Sequence, residues 1–225
     1  MAIYALSDLH LSLGVKDKPM NVFGDKWNDY EAKIKKNWNQ KINEEDIVII
    51  AGDISWAMYL EDSLEDFEYI SSLNGQKIIL KGNHDYWWTT LNKLNNFIQE
   101  NKLENINFLH NNCYLAEEYI ICGTRYWSYD EKADDNNKIF NRELARAKIS
   151  LDAAKELDSE KSIIFVTHYP PDENIIDLVK KYNVKYWIYG HIHSNYEENL
   201  VKIDGIKTYL TSADYLEFDP LKLDT

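Results

Sequence analysis

The segment DIVIIAGD, residues 46–53, holds an apolar run that is followed at once by a glycine and an aspartate. Short apolar runs bounded by turn residues are typical of buried strands, so residues 46–51 are predicted to form a strand that ends before Gly52-Asp53. The carboxyl ends of strands are where open α/β sheets build their binding sites. The segment therefore predicts an α/β fold with a functional carboxylate, Asp53, at a strand end.

Four further apolar runs have the same organisation, and segments with helical spacing of apolar residues lie between them. They cover residues 2–7, 77–81, 162–167 and 185–189. Each leads into a short polar motif: Asp8-Leu9-His10, Gly82-Asn83-His84-Asp85, Thr167-His168 and Gly190-His191-Ile192-His193. Histidine and aspartate supply the nitrogen and oxygen donors that hard-to-borderline metal ions prefer. The pattern predicts a polynuclear metal site at the strand ends.

The rest of the chain favours a single α/β domain over residues 1–225 with a mixed sheet system. Apolar residues at spacings of three and four predict five helices, within residues 27–38, 60–73, 91–98, 140–157 and 176–182. Short β-rich runs in residues 106–124 and 198–212 predict antiparallel additions to a sheet. Two longer loops, residues 11–26 and 128–138, are predicted to be either lids beside the site or solvated surface.

Seven motif side chains are candidate metal ligands, which is more than one ordinary cation takes. They are Asp8, His10, Asp53, Asn83, His168, His191 and His193. Two metals are therefore predicted, with Asp53 as the natural bridge because Gly52 before it allows close backbone approach. No cysteine stands in a motif, which argues against a structural zinc site and for a catalytic pair with open positions. Oxygen and nitrogen donors suit Mn, Fe, Zn, Co or Ni.

Two pairs of these donors are separated by a single residue: Asp8 with His10, and His191 with His193. Alternate residues of a strand project to the same side. If each strand continues through its motif, both members of a pair can share one cation.

The ordered set of motifs resembles the calcineurin-like metallophosphoesterase superfamily, and it spans residues 8–193. The resemblance implies an α/β four-layer sandwich in which two mixed sheets lie face to face between outer helices. It also implies how the ligands are shared. One metal takes Asp8, His10, Asp53 and His193, and the other takes Asp53, Asn83, His168 and His191.

The resemblance leaves one motif histidine, His84, outside the metal coordination. It implies that His84 contacts the scissile phosphate or protonates the leaving oxygen, and that Asp85 orients it. The alternative is that these two residues form a loop-capping pair. Arg125 could bind a substrate phosphate through its planar fork of donors, or form a surface ion pair.

The chain departs from one branch of the superfamily, the Ser/Thr protein phosphatases. Their second motif continues with an Asp-Arg pair and their third usually ends in Glu. Here the second motif reads Gly52-Asp53-Ile54-Ser55-Trp56 and the third ends in Asp85. The sequence therefore favours the small bacterial-type phosphoesterases.

The predicted function is hydrolysis of a phosphomonoester or phosphodiester by a dimetal-bound hydroxide, with His84 assisting. The alternatives are a catalytically silent scaffold or binding protein that keeps the fold, and a nuclease within the same superfamily. Because the chain keeps all seven candidate ligands and His84, catalysis is favoured. The motifs leave the substrate open, because substrate choice depends on loops outside them.

Composition restricts the partners that are expected. The chain has 25 Lys and Arg against 38 Asp and Glu, a formal net charge of -13, which argues against a nucleic-acid polymer. A small phosphorylated substrate remains compatible, because bound cations cancel negative charge locally. No stretch approaches the roughly 20 apolar residues of a membrane-spanning helix, and the amino terminus lacks the pattern of a signal peptide. A cytoplasmic protein without a membrane or an obligate protein partner is predicted.

Overall fold

Two five-stranded β-sheets form the centre of the protein. They are seen in a computed structural model that describes residues 1–15, 17–127 and 136–225. The strands in these residues are β1 (Ile3–Ala5), β2 (Ile47–Ile50), β3 (Gln76–Leu80), β4 (Ile106–Leu109), β5 (Cys113–Ala116), β6 (Tyr119–Thr124), β7 (Ser162–Thr167), β8 (Val184–Tyr189), β9 (Lys207–Leu210) and β10 (Leu221–Lys222). Their order is β10-β1-β2-β3-β4 in one sheet and β5-β6-β7-β8-β9 in the other.

The helices of the described residues follow the predicted apolar periodicity. They are α1 (Tyr30–Lys41), α2 (Leu64–Ser71), α3 (Leu91–Glu100), α4 (Asn136–Leu157), α5 (Glu173–Val179) and α6 (Tyr196–Asn199). The described part of the predicted loop 11–26 contains two short 3-10 turns, Met20–Phe23 and Asp25–Trp27. Of the predicted loop 128–138, residues 128–135 lie outside the described residues and the rest begins α4. None of the described helices combines the length and the apolarity needed to cross a membrane.

The alternation of side chains along the strands produces four layers. In β2, Ile47 and Ile49 lie in the core between the two sheets, whereas Val48 and Ile50 pack on the opposite side against α1, α2 and α3. The outer face of the second sheet is covered in the same way by α4 and α5, through residues such as Leu151. The predicted α/β/β/α sandwich with two mixed sheets is confirmed.

The prediction of antiparallel additions is wrong for two strands. β4 runs parallel to β3, and β9 runs parallel to β8. Each is reached through a crossover that contains a helix, α3 and α6 respectively, and such a connection returns the chain in its original direction. Within the described strands, β5 is antiparallel to β6 and β10 is antiparallel to β1.

Candidate metal centre

The predicted ligands gather where parallel strands of the two sheets end. β1, β2 and β3 lead to the motifs of the first sheet, and β7 and β8 lead to those of the second. Two groups result: Asp8, His10 and His193 form one, and Asp53, His168 and His191 form the other. Within each group the ligand atoms lie within 4.8 Å of one another.

Backbone turns orient these side chains. The alternation of side chains along a strand does not. β1 already ends at Ala5, and Asp8 and His10 lie beyond it with φ angles of 56° and 46°. Asp53 and His191 also have positive φ angles, 52° and 72°. The strands do not continue through the paired donors, so the condition for sharing a cation by strand alternation is not met. Left-handed residues other than glycine cost of order 1–3 kcal/mol each and persist where the surrounding contacts fix them.

Hydrogen bonds between the loops hold these turns. The backbone N–H of Asp8 donates to the Gly52 carbonyl at 2.9 Å, and that of His10 donates to the Asp53 carbonyl at 3.0 Å. Both carboxylate oxygens of Asp8 accept the backbone N–H of His191 at 3.0 Å. The first contacts join neighbouring loops of one sheet and the last joins the two sheets, so the site forms only when both are assembled.

In the first group, imidazole Nε2 atoms converge. Nε2 of His10 lies 3.2 Å from Nε2 of His193, which lies 3.7 Å from Oδ1 of Asp8. In the second group, Nε2 of His168 lies 2.7 Å from Oδ1 of Asn83. The His191 and His168 ring centroids are 5.1 Å apart. Donor atoms at these separations leave each group able to surround one cation.

The Asp53 carboxylate belongs to the second group and also faces the first. Its Oδ2 atom is 3.8 Å from Nε2 of His10 and 3.5 Å from Nε2 of His168. Its Oδ1 atom accepts the backbone N–H of His84 at 2.8 Å, which fixes the orientation of the carboxylate. A single oxygen thus faces both groups, the position that a bridging ligand needs.

Two glycines make room for the buried carboxylates. A Cβ atom at Gly82 would overlap the carboxylate and backbone N of Asp53. A Cβ atom at Gly190 would overlap the carboxylate of Asp8. Neither position tolerates a larger residue without moving a candidate ligand. Steric constraint therefore explains why both positions are glycine.

Asp214 was missed by the sequence analysis. Its buried carboxylate accepts a hydrogen bond from Nδ1 of His193 at 2.8 Å, which leaves Nε2 of His193 facing the site. The Ala51 carbonyl accepts from Nδ1 of His168 at 2.9 Å, which leaves its Nε2 facing Asn83 and the site. Such partners fix the tautomer and ring orientation of metal-binding histidines. Asp214 closely follows β9, so the strand-end pattern that revealed the other carboxylates could have identified it.

Burial has the largest influence on the pKa values of the candidate ligands. It raises the pKa of the Asp8 and Asp53 carboxyls. Burial, followed by repulsion from neighbouring histidines, holds the pKa of His10 well below its usual value and lowers that of His191 to about 3. Burial likewise lowers the pKa of His168 to about 3. Neutral imidazoles keep their lone pairs available to a cation.

His193 behaves differently from the other histidines. Burial would lower its pKa, but the hydrogen bond to Asp214 and the negative charges of Asp8 and Asp214 outweigh burial and raise the pKa. Burial would raise the pKa of Asp214, yet its hydrogen bonds to His193 and Lys26 lower it. The His193 and Asp214 pair is therefore a coupled acid and base at the edge of the site.

The resemblance implies that Asp85 orients the His84 ring. Among the described residues, however, the hydrogen bonds of Asp85 go to other groups. Its Oδ1 accepts from the backbone of Ile54 and from Nε1 of Trp87, and its Oδ2 accepts from the backbone of Gly82 at 2.7 Å. Asp85 also accepts the N–H of Asp53 and of Ser55. The carboxylate is fully used in fixing the loop that carries Asp53. Nδ1 of His84 is buried and lacks a hydrogen-bond partner among the described residues.

A cavity of about 390 Å³ opens beside His84. Its walls are mainly apolar or aromatic and include His10, His193, Met20, Phe23, Trp27 and Trp56. The Trp56 ring stacks on His10 with centroids 5.0 Å apart and packs 4.6 Å from His84. Both histidines are thus held by aromatic contacts and face a space that a substrate can enter.

Comparison with known proteins identifies the family. Residues 1–195 match the sequence model of the calcineurin-like phosphoesterase family. The chain belongs to this family. No protein with a curated description matches the chain.

Solved structures share the fold of this phosphoesterase family member. TT1561 from Thermus thermophilus is 13% identical with a TM-score of 0.63, and the alignment covers 98% of this chain and 97% of that one. Phosphopantetheinyl hydrolase from Mycobacterium tuberculosis is 12% identical with a TM-score of 0.56, covering 99% and 95%. AQ665 from Aquifex aeolicus, a protein of unknown function, is 17% identical with a TM-score of 0.55, covering 98% and 95%. At these identities the likeness shows the fold alone.

The chemistry of the donor set fits the divalent metals that the family uses. Asp8 and Asp53 are both buried, and two buried carboxylates close together require compensating positive charge. The imidazoles of His10, His168 and His191 have lowered pKa values, so they are neutral donors and supply little of it. Nitrogen and oxygen donors in two groups therefore provide sites for borderline divalent cations.

Arg125 lies beside this centre and pairs with the buried carboxylate of Glu143. Its guanidinium is 3.8 Å from Oε1 of Glu143 and stacks over Trp127 at 5.2 Å from the ring centroid. Its backbone carbonyl accepts the N–H of His168 at 3.0 Å. The residue thus connects the candidate ligands of the second sheet to a separate cluster of cations.

Proposed function

We propose that this chain hydrolyses phosphate esters at a dinuclear metal centre. One cation would be held by Asp8, His10, Asp53 and His193, and the other by Asp53, Asn83, His168 and His191. The substrate would be a small phosphomonoester or phosphodiester, in keeping with the net charge of -13, which disfavours a polyanionic polymer.

One observation carries the dinuclear assignment. Oδ2 of Asp53 lies within 3.8 Å of Nε2 of His10 and within 3.5 Å of Nε2 of His168, which belong to different donor groups. A carboxylate that only served one group would have no reason to sit between both. The Asp85 carboxylate, through its bonds to the backbone on both sides of this position, keeps Asp53 there.

When bound, two adjacent divalent cations would neutralise charge on the phosphate and lower the pKa of a water molecule that becomes the nucleophile. The residues of the chain then have separate tasks. Hydrogen bonds to Asp214 and to the Ala51 carbonyl orient His193 and His168. Trp56 packs against His10 and His84 and forms part of the apolar wall of the cavity beside them.

His84 is proposed as the residue that contacts the phosphate or protonates the leaving oxygen. Its ring lies 5.7 Å from the His10 ring and borders the cavity, and the buried Nδ1 atom has no hydrogen-bond partner in the described part of the chain. Its backbone is fixed through the bond to Asp53. His84 is thus positioned by the ligand loop while its ring stays available to a substrate.

Metal analysis combined with two chromogenic substrates tests the proposal. The purified protein is expected to contain two equivalents of transition metal and to hydrolyse 4-nitrophenyl phosphate, bis(4-nitrophenyl) phosphate or both. Loss of a ligand partner typically costs about 10- to 100-fold in affinity or activity, so Asp53→Asn should lose about 100-fold or more. Absence of metal-dependent hydrolysis of both esters would instead support the scaffold alternative.

A second variant separates catalysis from metal binding. His84→Ala is expected to keep both metals but to lose about 100- to 10,000-fold in turnover, the usual contribution of a positioned acid or base. Unchanged turnover at full metal content would remove His84 from the mechanism. Loss of metal together with activity would assign it a structural role in the Asp53 loop.

A further inference from the structure

A cavity of about 280 Å³ lies at the ends of β3, β4 and β6, outside the candidate metal ligands. Four cationic side chains line it: Lys81, Arg125, Arg142 and Arg146. Lys81 follows β3 directly, Arg125 follows β6 directly, and the other two lie one turn apart on α4. Elements distant in the sequence therefore direct positive charge into one space, in a chain whose net charge is -13.

The described residues of the cavity offer one carboxylate to these four cations. Glu143 is fully buried, and its Oε1 lies 2.7 Å from Arg146, 3.7 Å from Arg142 and 3.8 Å from Arg125. Arg146 is the one of the three that donates a hydrogen bond to it within the described part of the structure. Each guanidinium carries five N–H donors, so the hydrogen bond to Glu143 uses a small part of the donor capacity among the described residues. Within the described part of the chain, one carboxylate balances one of the four charges.

A hydrogen bond and ring contacts hold the other side chains that line the cavity. Trp88 donates through Nε1 to Nδ1 of His110 at 3.1 Å, and the two rings stack with centroids 6.0 Å apart. Arg125 is held over the Trp127 ring. Burial, followed by the positive charges of Arg146 and Lys81, lowers the pKa of His110. The lowered pKa keeps the ring neutral, so it adds no further charge to the cavity.

The backbone joins this cavity to the candidate metal centre. Lys81 immediately precedes the Gly82-Asn83-His84-Asp85 motif. The Arg125 carbonyl accepts the N–H groups of His168 at 3.0 Å and of Tyr169 at 3.3 Å. A ligand that reaches from one to the other would contact two segments that carry candidate metal ligands.

We propose that this basic cavity binds a second phosphate group of the substrate. The substrate class is then a phosphate ester that carries another phosphate on the same molecule, with one phosphate at the metal centre and the other among Lys81, Arg125, Arg142 and Arg146. Arginine forks match phosphate oxygens in geometry and charge, and cations gathered in a cleft raise the local concentration of anions. This inference rests on the proposed phosphoesterase function.

Binding of inorganic pyrophosphate, measured by isothermal titration calorimetry, tests the cavity without any turnover. The full-length protein and the Asp53→Asn variant are both titrated, because pyrophosphate bound by the metal centre is weakened in the variant whereas pyrophosphate bound by the basic cavity persists. Arg142→Gln and Arg146→Gln are then introduced, singly and together. Each lost charged hydrogen bond is expected to weaken the persisting binding by about tenfold.

Lys148→Gln is the matched control. It removes the same charge from the same helix, and Lys148 is an exposed residue paired with Asp152 away from the cavity. Binding should be unchanged in this variant. Arg146 is the closest partner of buried Glu143, so the melting temperature of every variant is compared with that of the wild type. If Arg146→Gln unfolds, Arg142→Gln tests the cavity in its place, because the Arg142 side chain is 56% exposed.

The second arm is kinetic. Adenosine bisphosphate and adenosine monophosphate are compared as inhibitors of chromogenic ester hydrolysis, and the bisphosphate should bind about tenfold tighter or better in the wild type but not in the arginine variants. Equal pyrophosphate binding in wild-type and arginine variants would overturn the proposal and leave the arginines as a network that neutralises Glu143. If pyrophosphate binds but no ester is hydrolysed, the basic site stands and the phosphoesterase function fails.

Discussion

Nδ1 of His193 donates a hydrogen bond of 2.8 Å to the buried carboxylate of Asp214. This contact turns Nε2 of His193 toward Asp8 and fixes its tautomer, while Lys26 and Tyr196 hold Asp214 from the other side. The orientation of a candidate ligand from one sheet thus depends on a carboxylate that follows β9 and on the loop that precedes α1. The relationship links the metal centre to loops outside the family motifs.

Asp214→Ala should weaken metal binding without removing a ligand. Without its acceptor the His193 ring is free to rotate, and loss of such a partner costs about 10- to 100-fold in metal affinity or activity. Metal titration followed by calorimetry or by activity recovery measures the change. Asp224→Ala is the control, because Asp224 is an exposed carboxylate paired with Lys207 far from the motifs. Equal metal affinity in Asp214→Ala and wild type would contradict the positioning role.

Asp85→Asn should destabilise the fold. The carboxylate accepts five N–H groups, and an amide at this position would place an NH₂ group against at least two of them. We expect a loss of about 2–4 kcal/mol in the free energy of unfolding, as for other broken buried networks. Urea denaturation measures it. A change below about 0.5 kcal/mol, the usual range for a surface site, would show that the loop is held by other contacts.

Gly190→Ala should impair the first donor group and leave the second in place. The added Cβ overlaps the Asp8 carboxylate and displaces it, so one of two metal equivalents should be lost. Gly205→Ala provides the contrast: there a Cβ meets open space but the φ angle is +78°, so about 1 kcal/mol of stability should be lost with full metal content. Metal analysis and denaturation of both variants separate a steric effect at the site from backbone strain.

Lys77 gives the stability of the protein a specific pH dependence. Burial lowers its pKa from 10.5 to about 8, although Glu44 acts in the opposite direction. The folded state therefore disfavours the charged form, and the penalty is complete below pH 8 and disappears as the pH rises toward 10.5. The free energy of unfolding of the wild type should rise by about 2–3 kcal/mol relative to Lys77→Met over this interval. A constant difference between the two proteins would show that Lys77 is not desolvated.

The fold class and the family were both predictable from the sequence. A continuous apolar run such as residues 46–51 needs burial on both faces, which the strands of a sandwich core provide. The order of the polar motifs identified the phosphoesterase family. The seven candidate ligands were also readable, because strand ends of parallel sheets meet at one edge. Strand direction was harder to predict from the sequence. β9 has the composition of a hairpin partner, yet the segment that connects it to β8 makes the two strands parallel.

The orientation of the donor side chains depends on the tertiary structure. Asp8 and His10 converge on other residues because left-handed turns are held by hydrogen bonds to the next loop, and no spacing rule encodes those bonds. The same holds for Asp85, which fixes the Asp53 loop and not the His84 ring, and for Asp214, which the chain brings to His193 through the end of β9. Residue types and strand order are local properties of a sequence, whereas the orientation of a side chain depends on contacts between segments that meet only after the two sheets pack together.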